Sequence, residues 1–424
     1  MEDVFCGEVG SDEAARWSGP LRLSLQDLAA VEALEADGVL ATRADARGLS
    51  IAGVDHVGTF VLPGGRRVHV RPKVGDLVLL DWLAYLGDAP PVPPRPARET
   101  FAPRGGFAAR VARRFLDELE LLTRHTPRAA LTQLRHDSST VRGRILTAAL
   151  ARSFHRFPSI PQSRRQRTLD TPHHRLLAAA LDRVTGLLHG GDDAARIGFL
   201  KAHWADVAAP YADVAATLAA CGSHCPPGYA AAVRLASLIL LGASPAQAVV
   251  QGAALLVSLA GIWERALRRM CREIASATGW RPVPEPQRTK RWDDGPGLRD
   301  PTRWMTADVI LESGNRRWVL DAKYKLGYGD EERNDRFQMT AYVMAFNARR
   351  ATLVYPTAET ERARWRLLLA GQIGGQPTTI DSIELPMSAG PVTCRAALLD
   401  AMLSLGAAPV KPPKQPNSRA HAGS

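Results

Sequence analysis

Short segments within the first ninety residues alternate hydrophobic and polar positions, a pattern typical of half-buried β-strands. Residues 57–61 and 68–70 are two such segments, and the sequence Pro63-Gly64-Gly65-Arg66 lies between them. Because glycine readily adopts the positive φ angles of a tight turn, we predict a β-hairpin here. One helix is expected earlier in this region, and the apolar stretch Asp76–Leu86 predicts another. We therefore interpret residues 1–90 as a β-rich domain.

Prolines dominate the next segment, at positions 90, 91, 93, 94 and 96, and predict a stiff linker over residues 91–98. Residues 99–255 repeat hydrophobic side chains at helical spacing, most clearly over 107–122 and 176–188, and predict a mainly helical middle region. Between these two helices lies an arginine-dense stretch, residues 152–167, which we interpret as a loop. Its interleaved arginine and aromatic side chains suit phosphate binding and base stacking, although a solvated loop or a subunit contact explains them equally well.

The spacing of hydrophobic residues over 256–278 predicts a long helix that ends at Gly279, the usual residue at a helix C-terminus. The elements expected after it are strands over 306–312 and 317–324, a helix over 335–348 and a strand over 351–355. This alternation predicts an α/β domain over residues 256–408, and hence a multi-domain α/β protein. Residues 409–424 contain almost nothing apolar to bury, so we expect a disordered tail.

The composition indicates several domains and no membrane segment. The chain has 424 residues, of which 46% are hydrophobic, enough for two or three domains at roughly 100–200 residues each. Its acidic N-terminus lacks the apolar run of a signal peptide. Glycine, proline and glutamine interrupt the most apolar region, residues 233–263, so we expect two buried helices there rather than a membrane span. Five cysteines without a disulfide framework indicate a reducing compartment, and we predict a cytoplasmic protein.

The net charge of +11 and the pI of about 9.8 favour a polyanionic partner such as nucleic acid. The excess positive charge comes almost wholly from arginine, a bias that genome composition also produces. Charge alone therefore does not distinguish a nucleic-acid-binding protein from other basic proteins, and the chemistry of particular residues has to decide.

Three residues on the C-terminal strands form the strongest chemical pattern in the chain. Side chains alternate along a strand, so Asp321 and Lys323 lie on one face, and the hairpin brings Asp308 beside them. Phosphodiester hydrolysis needs a cation, and Mg²⁺ prefers oxygen ligands such as the carboxylates of Asp308 and Asp321 and the carbonyl of Ala322. Lys323 would orient the attacking water or stabilise the pentavalent phosphorane. An ion pair between Asp321 and Lys323 is the structural alternative, but it leaves Asp308 unexplained.

Two neighbouring elements offer further candidates. Gln338 and Tyr342 lie four residues apart on one helix face. They would contact the substrate or the water network, or equally be a surface glutamine and a packed tyrosine. Glu264, on the long helix, would add a carboxylate to the metal site or would instead pair with Arg268.

The order of elements and several motifs resemble the PD-(D/E)XK nuclease fold and, more specifically, the McrC family, the nuclease subunits of McrBC-type 5-methylcytosine restriction systems. The C-terminal motifs are Asp308, Asp321-Ala322-Lys323-Tyr324-Lys325 and the helix with Gln338 and Tyr342. The earlier motifs are His69-Val70-Arg71-Pro72-Lys73-Val74, Val141-Arg142-Gly143-Arg144-Ile145 and Leu169-Asp170-Thr171-Pro172. The chain departs from the family pattern at Ala307, where proline is usual, and at His174, where asparagine is expected.

This resemblance implies a C-terminal PD-(D/E)XK core with an αβββαβ-like mixed sheet, and Mg²⁺ as cofactor with Mn²⁺ as a substitute. It also implies a partner, an McrB-like AAA+ GTPase. The subunit would dock on the ring of this motor through its N-terminal half, residues 1–90 in particular, and stimulate NTP hydrolysis. Double-stranded DNA would be cut in that complex. The chain has no Gly-x-x-x-x-Gly-Lys-Ser/Thr loop, as expected if the motor is a separate protein.

Two other functions stay open. A subunit that only docks on the AAA+ partner and activates it, with a vestigial nuclease domain, would share this organisation. A decayed site usually loses one of its chemical groups, and Asp308, Asp321 and Lys323 are all present. A stand-alone nuclease of the same fold, acting in repair or on RNA, is the third possibility. The long region before residue 256 favours a partner-dependent subunit over it.

Overall fold

The structure is a computed structural model and describes residues 3–8, 17–91, 106–124, 130–188, 190–205, 225–242, 254–291, 304–325, 333–357, 362–373 and 375–407, with single residues at 207, 217, 219 and 221. Backbone contacts divide the chain into two compact units. One contains Met1–Gly58, Leu62–Phe101 and Leu256–Ser424, and the other contains Thr59–Val61 and Ala102–Leu255. The predicted tail and all but Pro91 of the predicted linker lie outside the described residues.

The N-terminal elements agree with the predicted hairpin and helices. They are β1 (Asp3–Gly7), α1 (Leu25–Ala36), β2 (Leu40–Asp45), β3 (Gly48–Gly53), β4 (His56–Val61), β5 (Arg67–Arg71) and α2 (Asp76–Leu86). Ser24 begins α1, because its side chain accepts a hydrogen bond from the N–H of Asp27 at 3.1 Å. β4 and β5 are hydrogen-bonded neighbours. Gly65, at φ +83°, closes the turn between them by donating to Leu62 O at 2.8 Å.

The middle region contains a small sheet that the hydrophobic pattern does not predict. Its elements are α3 (Gly106–Arg124), β6 (Ala130–Ser138), β7 (Arg144–Ile145), α4 (Thr147–Arg152), β8 (Ile160–Thr168), α5 (Pro172–Leu187), α6 (Gly191–His203) and α7 (Ala230–Leu241). β8 pairs antiparallel with both β6 and β7. The interpretation of residues 152–167 as a loop is therefore wrong. Arginine and glutamine occupy positions of β8 where a strand usually has hydrophobic residues, so the pattern missed it.

The C-terminal region follows the predicted order of helix and strands. Its elements are β9 (Ala254–Ser258), α8 (Leu259–Thr278), β10 (Arg281–Pro282), β11 (Thr289–Arg291), β12 (Trp304–Thr306), β13 (Val309–Ser313), β14 (Arg316–Ala322), α9 (Arg333–Phe346), β15 (Arg350–Thr357), β16 (Arg364–Ile373), β17 (Gln376–Pro386) and α10 (Pro391–Ala407). The two helices expected over residues 233–263 are present at the ends of this range, as parts of α7 and α8, and β9 is an additional strand between them. Ser258 caps α8 by accepting a hydrogen bond from Gly261 N at 3.1 Å, and Gly279 ends it with a left-handed φ of +70°.

Six strands form the largest sheet, in the order β10-β13-β14-β15-β17-β16. β13 and β14 pair antiparallel, β15 pairs parallel with β14 and with β17, and β16 returns antiparallel. Met339 and Val343 of α9 share one hydrophobic core with Val319 and Leu353 of the sheet. The mixed α/β class predicted from the sequence is confirmed.

Helix α10 packs against β17 and α8 and completes this part of the fold. Leu398 on its inner face is fully buried, whereas Leu403 is 47% exposed. The indole of Trp82, in α2, donates to Met387 O at 3.0 Å and so connects the N-terminal region to the chain just before α10. Within the described ranges, no helix has the length and apolar character needed to cross a membrane.

We expect Leu398→Ala to lower the free energy of unfolding by about 2–5 kcal/mol, because removing a fully buried leucine side chain leaves a cavity. Leu403→Ala, on the same helix, is the matched control and should lower it by less than about 1 kcal/mol. Urea unfolding followed by far-ultraviolet circular dichroism measures both variants. Equal losses would contradict the packing of α10 described above.

Candidate active site

The chain bends between β12 and β13, at Ala307 and Asp308, so the predicted continuous strand over 306–312 is in fact broken at the first candidate acid. Arg288, which is buried, holds this bend. Its guanidinium donates to Ala307 O at 2.9 Å and also to Asp308 O. Asp308 Oδ2 accepts a hydrogen bond from the N–H of Ala322 at 2.8 Å. The first acid is thereby fixed beside the end of β14.

Asp321 lies near the end of β14 and is 3% exposed. It follows Val319 by two residues and therefore faces the same side of the sheet, toward α9. Lys323 comes directly after the strand, and its N–H donates to Val354 O at 3.0 Å. Its ammonium lies 2.9 Å from Asp321 Oδ2. Asp321 and Lys323 are thus in contact. Asp308 lies beside them because it accepts a hydrogen bond from the N–H of Ala322, the residue between them.

Gln338 and Tyr342 continue this arrangement from α9. The Lys323 ammonium donates to Gln338 Oε1 at 2.8 Å, and Gln338 Nε2 donates to the Tyr342 hydroxyl at 2.9 Å. The hydroxyl donates in turn to Thr306 O at 3.0 Å. Tyr342 is packed in the core, as the structural alternative held, yet it also belongs to a hydrogen-bond chain that orients the lysine ammonium.

Glu264 projects from α8 toward Asp308 but is already paired. Its carboxylate forms an ion pair with Arg268, one helical turn further on. Arg268 Nη2 lies 3.9 Å from Asp308 Oδ1, and its Nε donates to Asp308 O at 3.1 Å. Among the residues described, no three His, Cys, Asp or Glu side chains are grouped so that they could hold a metal ion. The ion pair between Glu264 and Arg268, the alternative to metal binding, is therefore present. The role of Glu264 as a metal ligand stays a prediction.

Burial is the main cause that raises the pKa of the Asp308 carboxyl, to about 7, and the charges of Asp321 and Glu264 add to it. Burial also raises the pKa of Asp321, although the Lys323 ammonium opposes this effect. Acidic groups that repel one another in a half-buried space hold protons more tightly than usual. Carboxylates arranged in this way suit a divalent cation, which would remove the repulsion.

The sequence model of the family described as McrBC 5-methylcytosine restriction system component matches residues 53–356, well over half of the chain. The chain belongs to this family. The family predicted from the motifs is thus confirmed. No curated protein sequence matches the chain.

The fold of this McrBC-family chain is similar to that of a solved structure, a refined half-complex from the tetradecameric assembly of Thermococcus gammatolerans McrB AAA+ hexamers with bound McrC. The TM-score is 0.55 at 14% sequence identity, with 90% of each chain covered. The cryo-EM structure of the Thermococcus gammatolerans McrBC complex matches with a TM-score of 0.44 at 13% identity, covering 64% of this chain and 88% of that chain.

Two motifs in the middle region of this McrBC-family chain have structural roles. A Cβ on Gly143 would lie 2.5 Å from Ser163 O, so the Arg-Gly-Arg element can approach β8 only with glycine at its centre. His174, at the start of α5, uses both ring nitrogens: one contacts Leu169 O and the other lies 2.9 Å from the Tyr229 hydroxyl. Histidine at this position therefore joins the start of α5 to the turn before α7.

Sequence reasoning missed Glu8, which is fully buried. Its carboxylate accepts hydrogen bonds from Lys73 N at 3.0 Å and from the Tyr324 hydroxyl at 3.3 Å. The Pro-Lys motif thus contributes a backbone N–H to this contact, and the N-terminal segment reaches the residue next to Lys323. No local pattern could reveal the contact, because its partners are 316 residues apart in the sequence.

In metal-free buffer we expect Asp308→Asn to raise the free energy of unfolding by about 1–3 kcal/mol at pH 8, because it removes a buried charge. Asparagine still accepts the hydrogen bond from Ala322. The folded pKa of Asp308, about 7, lies above its ordinary value of 3.8. The ionised carboxylate therefore lowers the free energy of unfolding most above pH 7. The stability that Asp308→Asn gains should shrink steadily as the pH falls toward 4.

Urea unfolding in the presence of a chelator, at pH 8 and pH 5, tests this expectation. Asp400→Asn, on the exposed side of α10, is the control and should change the free energy of unfolding by less than about 0.5 kcal/mol at either pH. A loss of stability in Asp308→Asn at pH 8 would show that the carboxylate is stabilising as it stands.

Proposed function

We propose that this McrBC-family chain is the Mg²⁺-dependent DNA endonuclease subunit of a modification-dependent restriction system. The observation that carries the proposal is the convergence of Asp308, Asp321 and Lys323. The buried carboxylate of Asp321 and the half-buried carboxylate of Asp308, both with raised pKa values, lie near an ammonium that is held by a second hydrogen bond. An ion pair alone accounts for Asp321 and Lys323 but gives no reason for a further acid against the same strand end.

The donor set suits Mg²⁺. Asp308, Asp321 and the carbonyl of Ala322 offer hard oxygen ligands, with Glu264 as a further carboxylate if Arg268 releases it. Mn²⁺ prefers the same ligands and is expected to substitute. When bound, the metal would neutralise charge on the phosphate and make hydroxide from water near neutral pH.

Side chains of the site have the other roles in this proposal. Lys323 presents its ammonium beside Asp321, where it orients the attacking water or stabilises the charge that develops on the phosphate. Gln338 fixes the direction of that ammonium, and Tyr342 fixes Gln338 through its hydroxyl. Gln338 and Tyr342 thus act by positioning Lys323, in a site whose core side is closed by α9.

We expect Asp321→Asn to reduce DNA cleavage on the order of 10³-fold or more, because it removes a metal ligand worth several kcal/mol in the transition state. Partner binding and stimulation of NTP hydrolysis should be unchanged. The assay is plasmid cleavage with Mg²⁺, on modified and unmodified DNA, with and without an McrB-like AAA+ protein and its nucleotide.

Asp400→Asn serves as the control in this assay and should cleave like the parent chain. Retained nicking by Asp321→Asn would refute the assignment. Cleavage that needs the partner indicates a motor-gated subunit, whereas cleavage by the chain alone indicates an autonomous nuclease. If the parent chain cuts under no condition while it still stimulates the partner, it is a docking and activating subunit.

The partner in this proposal is an McrB-like AAA+ GTPase. One support is the likeness in fold to a chain of the structure described as McrB AAA+ hexamers with bound McrC. Another is that the sequence has no phosphate-binding loop of its own. The sequence predicts that residues 1–90 dock on this partner. The middle region offers a second candidate docking surface.

That surface, the arginine face, is one side of the β6-β8-β7 sheet. Its exposed arginines are Arg135, Arg144, Arg165 and Arg167, and the 70% exposed Leu131 lies opposite Arg167. None of the four forms an ion pair with a residue that the structure describes. Four unpaired guanidinium groups beside an exposed leucine suit an acidic protein surface with an apolar spot.

We expect the double variant Arg165→Glu, Arg167→Glu to lose co-elution with the AAA+ partner and the stimulation of its NTP hydrolysis, since charge reversal repels an acidic surface. Size-exclusion chromatography with nucleotide measures co-elution, and a phosphate-release assay measures NTP hydrolysis. Arg165→Lys with Arg167→Lys keeps the charge and is the matched control. Co-elution of the glutamate variant at parental strength would assign docking to another surface, such as residues 1–90.

A further inference from the structure

A cavity of about 380 Å³ opens beside Asp308, and its lining does not include Lys323. Three arginines line it, Arg268 and Arg272 from α8 and Arg288 from the turn just before β11. We propose that this cavity binds a backbone phosphate of the DNA, next to the phosphate that is cut. The inference rests on the proposed nuclease function and assigns part of its substrate contact to residues outside the catalytic set.

Arg272 is the member of this cluster that is free to bind a ligand. It follows Arg268 by four residues, so both side chains leave the same face of α8, from Cα atoms about 6 Å apart along the helix axis. Arg265 and Arg269, on the same helix, are paired with Asp88 and Glu273. Arg272 is exposed and forms no hydrogen bond or ion pair with any residue that the structure describes.

Arg288 supplies the buried part of the cavity. One of its nitrogens donates to the carbonyls that form the bend at Asp308, and Nη2 lies 3.5 Å from the carboxylate of Glu285. Arg268 Nε donates to the same Asp308 carbonyl at 3.1 Å, so the two guanidinium groups lie close together beside the bend. Two guanidinium groups that repel each other in a half-buried space form a site that a bound anion would stabilise.

The acidic groups near the cavity leave part of this positive charge available to a ligand. Glu285 is 81% exposed, so its carboxylate is strongly screened by water. Asp308 belongs to the candidate metal site, and a bound cation would neutralise it. Arg268 is paired with Glu264, so the positive charge that the cavity offers to a ligand from solvent is mainly that of Arg272, beside the guanidinium of Arg288.

The shape and lining of the cavity favour a sugar-phosphate segment over a bare inorganic ion. Pro282, Val283, Pro284 and Val309 supply apolar surface between the arginines. Such carbon-rich surface suits deoxyribose, while the planar forks of guanidinium groups suit phosphate oxygens. Arg268 and Arg272 also line a neighbouring cavity of about 530 Å³, so the arginine-lined surface continues beyond the first cavity.

The test is DNA binding by the full chain in the Asp321→Asn background with Mg²⁺, so that the duplex is expected to stay intact. Fluorescence anisotropy with a short labelled duplex gives the Kd over a range of salt concentrations. We expect Arg272→Gln to weaken binding about 3–10-fold and to reduce the slope of log Kd against log salt by about one, as for the loss of one phosphate contact. Arg272→Lys keeps the charge and should keep the slope.

Arg43→Gln, an exposed arginine on β2, removes the same charge elsewhere and should leave both the Kd and the slope unchanged. Equal effects of Arg43→Gln and Arg272→Gln, or no DNA binding by the parent variant, would overturn the phosphate site. Cleavage is scored separately, with Asp321 restored. A change of slope in Arg272→Gln together with no cleavage by the parent chain would retain the phosphate site and reject the nuclease.

Discussion

The register of the β13–β14 hairpin is the constraint on which the candidate site depends. Val309 pairs with Leu320, so Asp308 and Asp321 follow at the same end of the two strands. A slip by one residue would turn Asp321 to the opposite face of the sheet, away from Asp308 and α9. Burial maintains this register, because Val319 and Leu320 are both fully enclosed on their own faces. Hydrophobic packing thus determines the position of the charged groups.

The site also concentrates opposing charges in a small volume. Acidic side chains crowd around the end of β14, and Arg268 and Arg288 contact the backbone of Asp308 from the other side. Such an arrangement costs stability while no ligand is bound, because each group loses water and meets like charges. The surrounding sheet tolerates the cost since its core is large and apolar. Strain of this kind is typical of sites that complete their charge balance with a cation and an anionic substrate.

Much of this arrangement could be predicted from the sequence, and what was missed has physical causes. Periodicity found α2 and the order of the C-terminal elements, and strand alternation put Asp321 and Lys323 together. Hydrophobic periodicity failed for β8, whose residues are polar on both faces. It also failed for the bend at Asp308, which is held by Arg288 from a distant segment. Contacts between residues far apart in sequence, such as Glu8 with Tyr324, leave no local pattern to find.

Long-range contacts of this kind also determine when the site can form during synthesis. Glu8 meets a residue 316 positions later, and Trp82 meets one 305 positions later. The middle region is contiguous and can fold as it leaves the ribosome, whereas the unit with the paired acids must wait for the distal half of the chain. A translation product that stops before β12 therefore contains the arginine face but neither of the two acids.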